Sequence, residues 1–194
     1  TIGLIFTSFI GGAQTFRPIW ENHKVLEINR LPARASFIPF VETTQDRTMT
    51  LNGNWKFLYV PKAEEAPLSF FQSDFDDAGW AELPVPSNWE MQGYGTPIYV
   101  SSGYSFKIDP PLVSSEPNPR NTSYIERTPV GSYRRYFELP QNWSDKKVFL
   151  RFDGVQSAFN VWINGHYVGY SQGSMEMSEF DVTSCLQPGN NLIA

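Results

Sequence analysis

The feature that most constrains the fold is an Asn164-Gly165 pair between two alternating segments, 159–163 and 166–170. Both central residues of a two-residue hairpin turn need a positive φ, which asparagine and glycine adopt most readily. The flanking segments, FNVWI and HYVGY, have the composition of strands. The pattern therefore predicts an antiparallel hairpin, in which His166 is a solvated residue at the start of the second strand.

Alternation with a period of two recurs in four further segments, at residues 51–60, 132–139, 146–152 and 178–182. It is clearest in the first, where Trp55, Phe57 and Tyr59 share one face of the expected strand. Aromatic residues make up 15% of the chain, which also has 14 glycines and 15 prolines. This composition favours strands and turns over helices, and we predict an all-β fold built as a two-sheet sandwich.

Charge and cysteine content exclude several classes of partner and site. Lys plus Arg number 15 against 20 Asp plus Glu, a net charge of −5 without a basic run, which argues against nucleic acid as the main partner. The single cysteine, Cys185, excludes an intramolecular disulfide and a thiolate zinc cage, and two histidines exclude a multi-histidine site. No apolar stretch reaches the roughly 18 residues of a membrane-spanning helix.

The first 50 residues differ from the rest. Residues 2–10 are mostly apolar and precede Gly11-Gly12-Ala13, the pattern of a secretory signal and its cleavage site, although the charged start of such a signal is missing. We expect residues 1–13 to be a truncated signal peptide and the protein to be exported to the periplasm or the exterior. An N-terminal strand is the alternative. Residues 14–50, with scattered prolines, are expected to form an extended arm.

Several common catalytic motifs are absent from the sequence. It contains no nucleophile elbow, zinc-protease motif or phosphate-binding glycine loop. Glycoside hydrolysis needs two carboxyl groups about 5 to 9 Å apart, and nothing in the spacing of Asp153, Glu176 and Glu179 distinguishes them from surface carboxylates. Asp74, Asp76 and Asp77 lack the spacing of a calcium loop, and we expect a solvated turn there.

Residues 83–131 are rich in proline and loop-rich, and a stretch of this kind is expected either to be functional or to lie against a partner. Its aromatic residues could stack on the apolar faces of sugar rings, while neighbouring amides and hydroxyls bind the sugar hydroxyls. They could equally anchor the loop to the sandwich. The aromatic residues in question are Trp89, Tyr94, Tyr99 and Tyr104.

Several longer motifs, taken together and in order, resemble the opening of the LacZ-type β-galactosidases of glycoside hydrolase family 2. They are residues 20–22 (WEN), 28–32 (INRLP), 51–57 (LNGNWKF), 85–99 (VPSNWEMQGYGTPIY), 131–135 (GSYRR), 152–165 (FDGVQSAFNVWING), 168–172 (VGYSQ) and 178–181 (SEFD).

The resemblance implies that residues 51–194 are the N-terminal sugar-binding domain, a jelly-roll sandwich like the galactose-binding domains, truncated at its C-terminal end. In this family, immunoglobulin-like domains and a TIM barrel follow. The barrel supplies the two glutamates of a retaining mechanism that hydrolyses terminal β-D-galactosyl residues. The chain by itself is therefore expected to contain no catalytic residue and to be inactive.

The resemblance also implies two sets of site residues. Ser101 stands where the family has an asparagine that contacts galactose; the other candidates for substrate binding, Tyr99 and Trp89, come from the loop aromatic residues described above. Asn22, the carbonyl of Val25 and Gln172 match positions that bind magnesium, whereas Ile19 replaces an aspartate of that site.

Other readings of the resemblance remain open. Ser101 in place of asparagine leaves room for a β-glucuronidase or β-mannosidase of the same family. A free-standing secreted carbohydrate-binding module is a third possibility. In the enzyme readings, the partners are a β-galactoside in the parent active site, the downstream domains of the same chain and other copies in a homo-oligomer.

Overall fold

The structure is a computed structural model of the chain, which describes residues 18–35, 47–97 and 128–194. The predicted signal segment 1–13 and the candidates Tyr99, Ser101 and Tyr104 lie outside the described residues.

The described residues form strands joined by turns and by 3₁₀ segments of three or four residues. The strands are β1 (Glu27–Ile28), β2 (Gly53–Val60), β3 (Ala81–Val85), β4 (Val130–Leu139), β5 (Phe149–Phe152), β6 (Ala158–Ile163), β7 (His166–Gln172), β8 (Ser178–Asp181) and β9 (Gly189–Ile193). The 3₁₀ segments are Ile19–Glu21, Ala63–Glu65, Trp89–Gln92, Gln141–Trp143 and Thr183–Cys185.

These strands form two antiparallel sheets. The larger has the order β1-β7-β6-β9-β4-β2-β3, and the smaller pairs β5 with β8. From β4 onward the chain crosses to the smaller sheet at β5, returns for β6 and β7, crosses again at β8 and returns at β9. Repeated crossing of this kind is typical of a jelly-roll sandwich. The prediction of an all-β sandwich is confirmed.

The hairpin predicted at Asn164-Gly165 is confirmed. Both residues have positive φ, 51° and 81°, and β6 pairs with β7 on either side of them. The Asn164 side chain also donates to the Cys185 carbonyl at 2.9 Å and accepts from the Leu192 amide at 2.8 Å. Asn164 therefore forms the hairpin turn and also bonds the hairpin to β9. His166 is exposed, as expected.

Alternation along β2 places its aromatic residues between the sheets. Trp55 and Phe57 are 7% and 1% exposed, and Phe57 pairs in register with Tyr133 of β4. The smaller sheet covers this inner face. The buried core consists of Trp55, Val161, Ile163, Val168, Phe180, Val182 and Ile193.

The segment 83–131, predicted to be loop-rich, begins and ends in strands that the prediction did not include. Residues 81–85 form β3, which pairs with β2 from Gly53↔Val85 to Phe57↔Ala81, and β4 begins at Val130. Pro84 made a strand look unfavourable because proline lacks an amide donor. β3 lies at the edge of the sheet, where one missing donor is tolerated.

The outer face of the larger sheet is partly covered by the segment 66–80. The Phe71 ring stacks on Trp162 with centroids 5.0 Å apart and an interplanar angle of 5°. Asp77 forms an ion pair with the buried Arg134, with 2.6 Å between Oδ2 and Nε. The expected solvated turn is therefore wrong for Asp77, although Asp74 and Asp76 are exposed.

The N-terminal segment is held along the edge of the sandwich. β1 pairs with β7 at Glu27↔Ser171 and Ile28↔Tyr170. The Leu31 amide then donates to the Glu179 carbonyl at 2.8 Å, which joins the arm to β8 of the smaller sheet. One short segment thus contacts both sheets and lies beside Gln172, at the end of β7.

Candidate functional site

The candidate sugar-contacting residue Trp89 lies in a 3₁₀ segment, Trp89–Gln92, which ends at Gly93 with φ 90°. Its half-buried ring lies 5.6 Å from Tyr59 and 6.2 Å from Phe57, between centroids. Tyr94 completes this aromatic cluster, 4.9 Å from Phe57. These contacts agree with the alternative in which Trp89 and Tyr94 anchor the loop to the sandwich. A contact between Trp89 and sugar stays a prediction.

Gly131 allows Trp89 to approach β4 closely. A Cβ atom at this position would lie 2.6 Å from the Trp89 ring and 2.7 Å from the Phe57 ring, closer than carbon atoms can approach. Sequence reasoning did not identify this residue. A glycine inside a segment with strand alternation was the available signal, because it often marks a close approach by another group.

Tyr133 borders the aromatic cluster, with its ring 4.8 Å from Phe57. Burial, and then the nearby Glu90 carboxylate, raise the pKa of Tyr133 to about 12. The phenol is therefore neutral at physiological pH. The cluster can offer ring faces and a neutral hydroxyl to a sugar, and the Tyr133 phenol is not a general acid or base near neutral pH.

The carboxylates considered for catalysis are engaged with arginines. The Glu179 carboxylate lies 2.6 Å from Arg34, and Asp153 lies 2.7 Å from Arg151. Glu176 lies 3.4 Å from Arg30. Two of the three arginines belong to the N-terminal arm, so these ion pairs hold the arm on the sandwich.

The three predicted magnesium ligands belong to neighbouring segments. The Val25 amide donates to the Asn22 carbonyl at 2.9 Å and so closes a tight turn at the start of the arm. The next arm residue, Leu26, accepts a hydrogen bond at 3.2 Å from the Gln172 amide. The arm turn and the end of β7 are thus brought together, as a shared ligand set requires.

The donor chemistry at this place fits a hard cation in part. Within the described residues, the Val25 carbonyl and the Gln172 Oε1 accept no hydrogen bond, while Gln172 Nε2 donates to Tyr170 Oη at 2.5 Å. All three ligands are neutral oxygens, whereas magnesium sites usually include a carboxylate. In the ranges that the structure describes, no group of three or more His, Cys, Asp or Glu could hold a metal ion.

The family model of the glycosyl hydrolases family 2 sugar binding domain matches residues 48–194. β-Galactosidases from Vibrio vulnificus and Psychromonas ingrahamii are 40% and 38% identical, over 90% and 89% of this chain. A β-galactosidase from Priestia megaterium is 36% identical over 91% of it. The chain spans only 16 to 18% of the length of these curated relatives.

Two solved structures of glycosidases have a similar fold. A β-glycosidase from Bacteroides vulgatus matches with a TM-score of 0.51 and 25% identity, over 75% of this chain and 16% of that one. A β-glucuronidase from Bacteroides uniformis matches with a TM-score of 0.50 and 26% identity, over 75% of this chain and 14% of that one. Within the described ranges, no helix is long and apolar enough to cross a membrane. The chain belongs to glycoside hydrolase family 2, and residues 48–194 are its sugar-binding domain.

Proposed function

We propose that the chain is the non-catalytic sugar-binding domain of a β-galactosidase, which hydrolyses terminal β-D-galactosyl residues. The observation that carries the proposal is the 36 to 40% identity to β-galactosidases over about 90% of the chain. The retaining mechanism needs two carboxyl groups about 5 to 5.5 Å apart. We assign that pair to a TIM barrel downstream in the same polypeptide.

Hydrolysis of nitrophenyl β-D-galactoside tests this proposal. The 194-residue chain is expected to release no nitrophenol, and the protein from the extended reading frame is expected to release it. Activity of the 194-residue chain would contradict the assignment of catalysis to a downstream domain. An inactive extended protein would contradict the enzyme reading and favour a free-standing carbohydrate-binding module.

A second candidate is a β-glucuronidase, favoured by the structural similarity to the Bacteroides uniformis enzyme and by Ser101. The same assay with nitrophenyl β-D-glucuronide separates the two. A serine has one short hydroxyl where an amide would offer both a donor and an acceptor. If the substrate is a galactoside, Ser101→Asn is expected to lower KM with little change in kcat, and an unchanged KM would remove Ser101 from the site.

We propose a magnesium ion at the arm, bound by Asn22, the Val25 carbonyl and Gln172, with a carboxylate from outside the described residues. Bound there, the ion would supply positive charge that holds the arm turn against β7. Thermal unfolding with and without millimolar MgCl₂ tests this. A Tm increase that Gln172→Ala abolishes is expected, and calcium serves as the comparison.

We also propose that the protein is exported and that it assembles into homo-oligomers. Export is supported by the apolar segment 2–10 and the small residues after it. Fractionation of the producing cell, with N-terminal sequencing of the exported form, tests it, and a start near Gln14 is expected. Light scattering of the extended protein tests assembly, and a monomer would contradict it.

A further inference from the structure

The dipeptide Asn-Gly occurs twice in the chain, at Asn52-Gly53 and at Asn164-Gly165. Asparagine loses its side-chain amide readily in this dipeptide, because glycine has no side chain that hinders attack by its main-chain nitrogen on the asparagine Cγ. The reaction needs a side-chain amide that is free to rotate towards that nitrogen. The two copies differ in this respect, and their tertiary contacts are the reason.

The Asn164 amide is held at both of its polar atoms. Its Nδ2 donates to the Cys185 carbonyl at 2.9 Å and to Asn191 Oδ1 at 2.8 Å, and its Oδ1 accepts from the Leu192 amide at 2.8 Å. Asn191 is 1% exposed, so water has little access to this network. Rotation of the side chain towards the Gly165 nitrogen would break these hydrogen bonds together. The folded chain therefore protects this copy.

The Asn52 amide is not held in this way. Asn52 and Gly53 are both exposed, and Asn52 immediately precedes β2. Its main-chain amide donates to Thr50 Oγ1 at 3.1 Å, whereas its side chain has no hydrogen-bond partner within the described residues. The side chain is therefore free to turn towards the Gly53 nitrogen.

A positive charge lies beside this exposed copy. A Cβ atom on Gly53 would lie 2.9 Å from Arg135 Nη1, which also donates to the Leu51 carbonyl at 2.8 Å. Attack on Cγ requires the Gly53 amide to give up its proton, and a guanidinium so close stabilises the negative charge that develops. The same charge favours the carboxylate that the reaction leaves at position 52.

We propose that Asn52 is a site of spontaneous deamidation in the folded protein, and that Asn164 deamidates only when its hairpin opens. The Gly53 nitrogen bonds to Asn52 Cγ, the bond from Cγ to Nδ2 breaks, and the glycine amide proton leaves with Nδ2 as ammonia. Water then opens the resulting succinimide at either carbonyl and yields aspartate or isoaspartate. The modification adds one negative charge before β2 and is independent of the proposed function.

The same change at Asn164 would conflict with its surroundings. An aspartate there has no donor for the Cys185 carbonyl, and it places a carboxylate oxygen against Asn191 Oδ1. Isoaspartate would add a methylene to the main chain inside the two-residue turn. A chain that deamidates at Asn164 while it is unfolded is therefore expected to refold poorly, which makes prolonged unfolding irreversible.

Peptide mapping by mass spectrometry measures both sites in one sample of the 194-residue chain, stored in warm, mildly alkaline buffer. In the folded chain, Asn52 is expected to react about tenfold or more faster than Asn164. In denaturing guanidinium chloride, where only local sequence matters, the two rates are expected to agree within about threefold. Below the unfolding transition, the Asn164 rate should rise with the unfolded fraction while the Asn52 rate stays constant.

Two variants and one internal reference act as controls, and circular dichroism confirms that each variant is folded. Asn52→Gln should abolish the signal at position 52 and leave Asn164 unchanged. Asn191→Ala removes one partner of the Asn164 amide and should raise only the Asn164 rate; if this variant does not fold, the denaturant series replaces it. Asn142, which is exposed and precedes Trp143, should react more slowly than Asn52.

Three results would overturn the proposal. The first is an Asn52 that stays intact in the folded chain while both sites react in denaturant. The second is an Asn164 that reacts as fast as Asn52 in the folded chain, because the hydrogen bonds would then give no protection. The third is an Asn164 rate that does not follow the unfolded fraction.

Discussion

Replacement of Arg134 by methionine is expected to destabilise the domain more than any surface substitution. The Arg134 side chain is buried and joins β4 to the segment 66–80 through the Asp77 carboxylate. It also donates to the carbonyls of Phe70 and Gln72, and its guanidinium lies 5.5 Å from the Phe75 ring centre. Methionine keeps much of the length and removes every one of these donors.

The magnitude follows from the groups left without partners. Loss of one partner of a buried ion pair costs about 3 to 5 kcal/mol. The Asp77 side chain is 21% exposed, so water recovers part of its share and the lower end applies. Each carbonyl left without its donor adds about 1 kcal/mol. With two such carbonyls, the expected loss of unfolding free energy is therefore about 5 kcal/mol.

Urea unfolding followed by fluorescence measures this change. Asp77→Asn keeps the shape of its side chain and one oxygen acceptor, but it leaves the buried Arg134 charge without a counter-ion, so it is expected to cost a comparable amount, about 3 to 5 kcal/mol. Asp74→Asn, at an exposed position of the same acidic segment, serves as the control and should change stability by less than about 0.5 kcal/mol. A cost below about 1 kcal/mol for Arg134→Met would refute the reasoning. The reasoning would also be refuted if the costs of Arg134→Met and Asp77→Asn were strictly additive in the double variant, because both substitutions act on the same ion pair.

Three further predictions concern close contacts and a buried phenol, and Gly79→Ala, at an open position, is the control for both glycine variants. Gly131→Ala should displace the Trp89 ring and cost about 1 to 3 kcal/mol in urea unfolding; a cost equal to that of the control would contradict the packing. Gly169→Ala would place a Cβ 2.4 Å from a carbonyl of β1, so hydrogen exchange in the arm should accelerate, and unchanged protection would contradict this contact. Because the pKa of Tyr133 is raised from 10.0 to about 12, its contribution to stability is present below pH 10 and is lost as the pH rises towards 12. Tyr133→Phe should flatten the fall in stability over that interval, and an unaltered slope would contradict it.

The N-terminal arm links the fold to the proposed magnesium site. Its Arg30 and Arg34 pair with Glu176 and Glu179, and its main chain bonds to β7 and β8. Exposed ion pairs contribute little, typically below about 1 kcal/mol each. The main-chain pairing therefore sets the register of the arm, and the ion pairs on either side restrict its sliding.

Local sequence signals predicted those strands well whose formation depends on residues close together in the chain. The Asn164-Gly165 turn and the alternation around Trp55 and Phe57 are short-range patterns, and the structure has a hairpin and a buried strand there. β3 was missed because Pro84 lacks a backbone amide donor, which by itself argues against a strand. The strand tolerates this proline because β3 lies at the edge of the sheet, and no local sequence pattern encodes that position.

The sequence by itself determined the all-β class, the main hairpin and, through motifs spread over residues 20–181, membership of glycoside hydrolase family 2. These features depend on residues close in the chain or on motif order. Only the tertiary structure decided that Asp77 pairs with Arg134, that Gly131 admits Trp89 and that the arm reaches Gln172. The partners in these contacts are 42 to 146 residues apart in the chain, so no local periodicity predicts them. The sheet brings them together because burial of its two faces fixes which strands become neighbours.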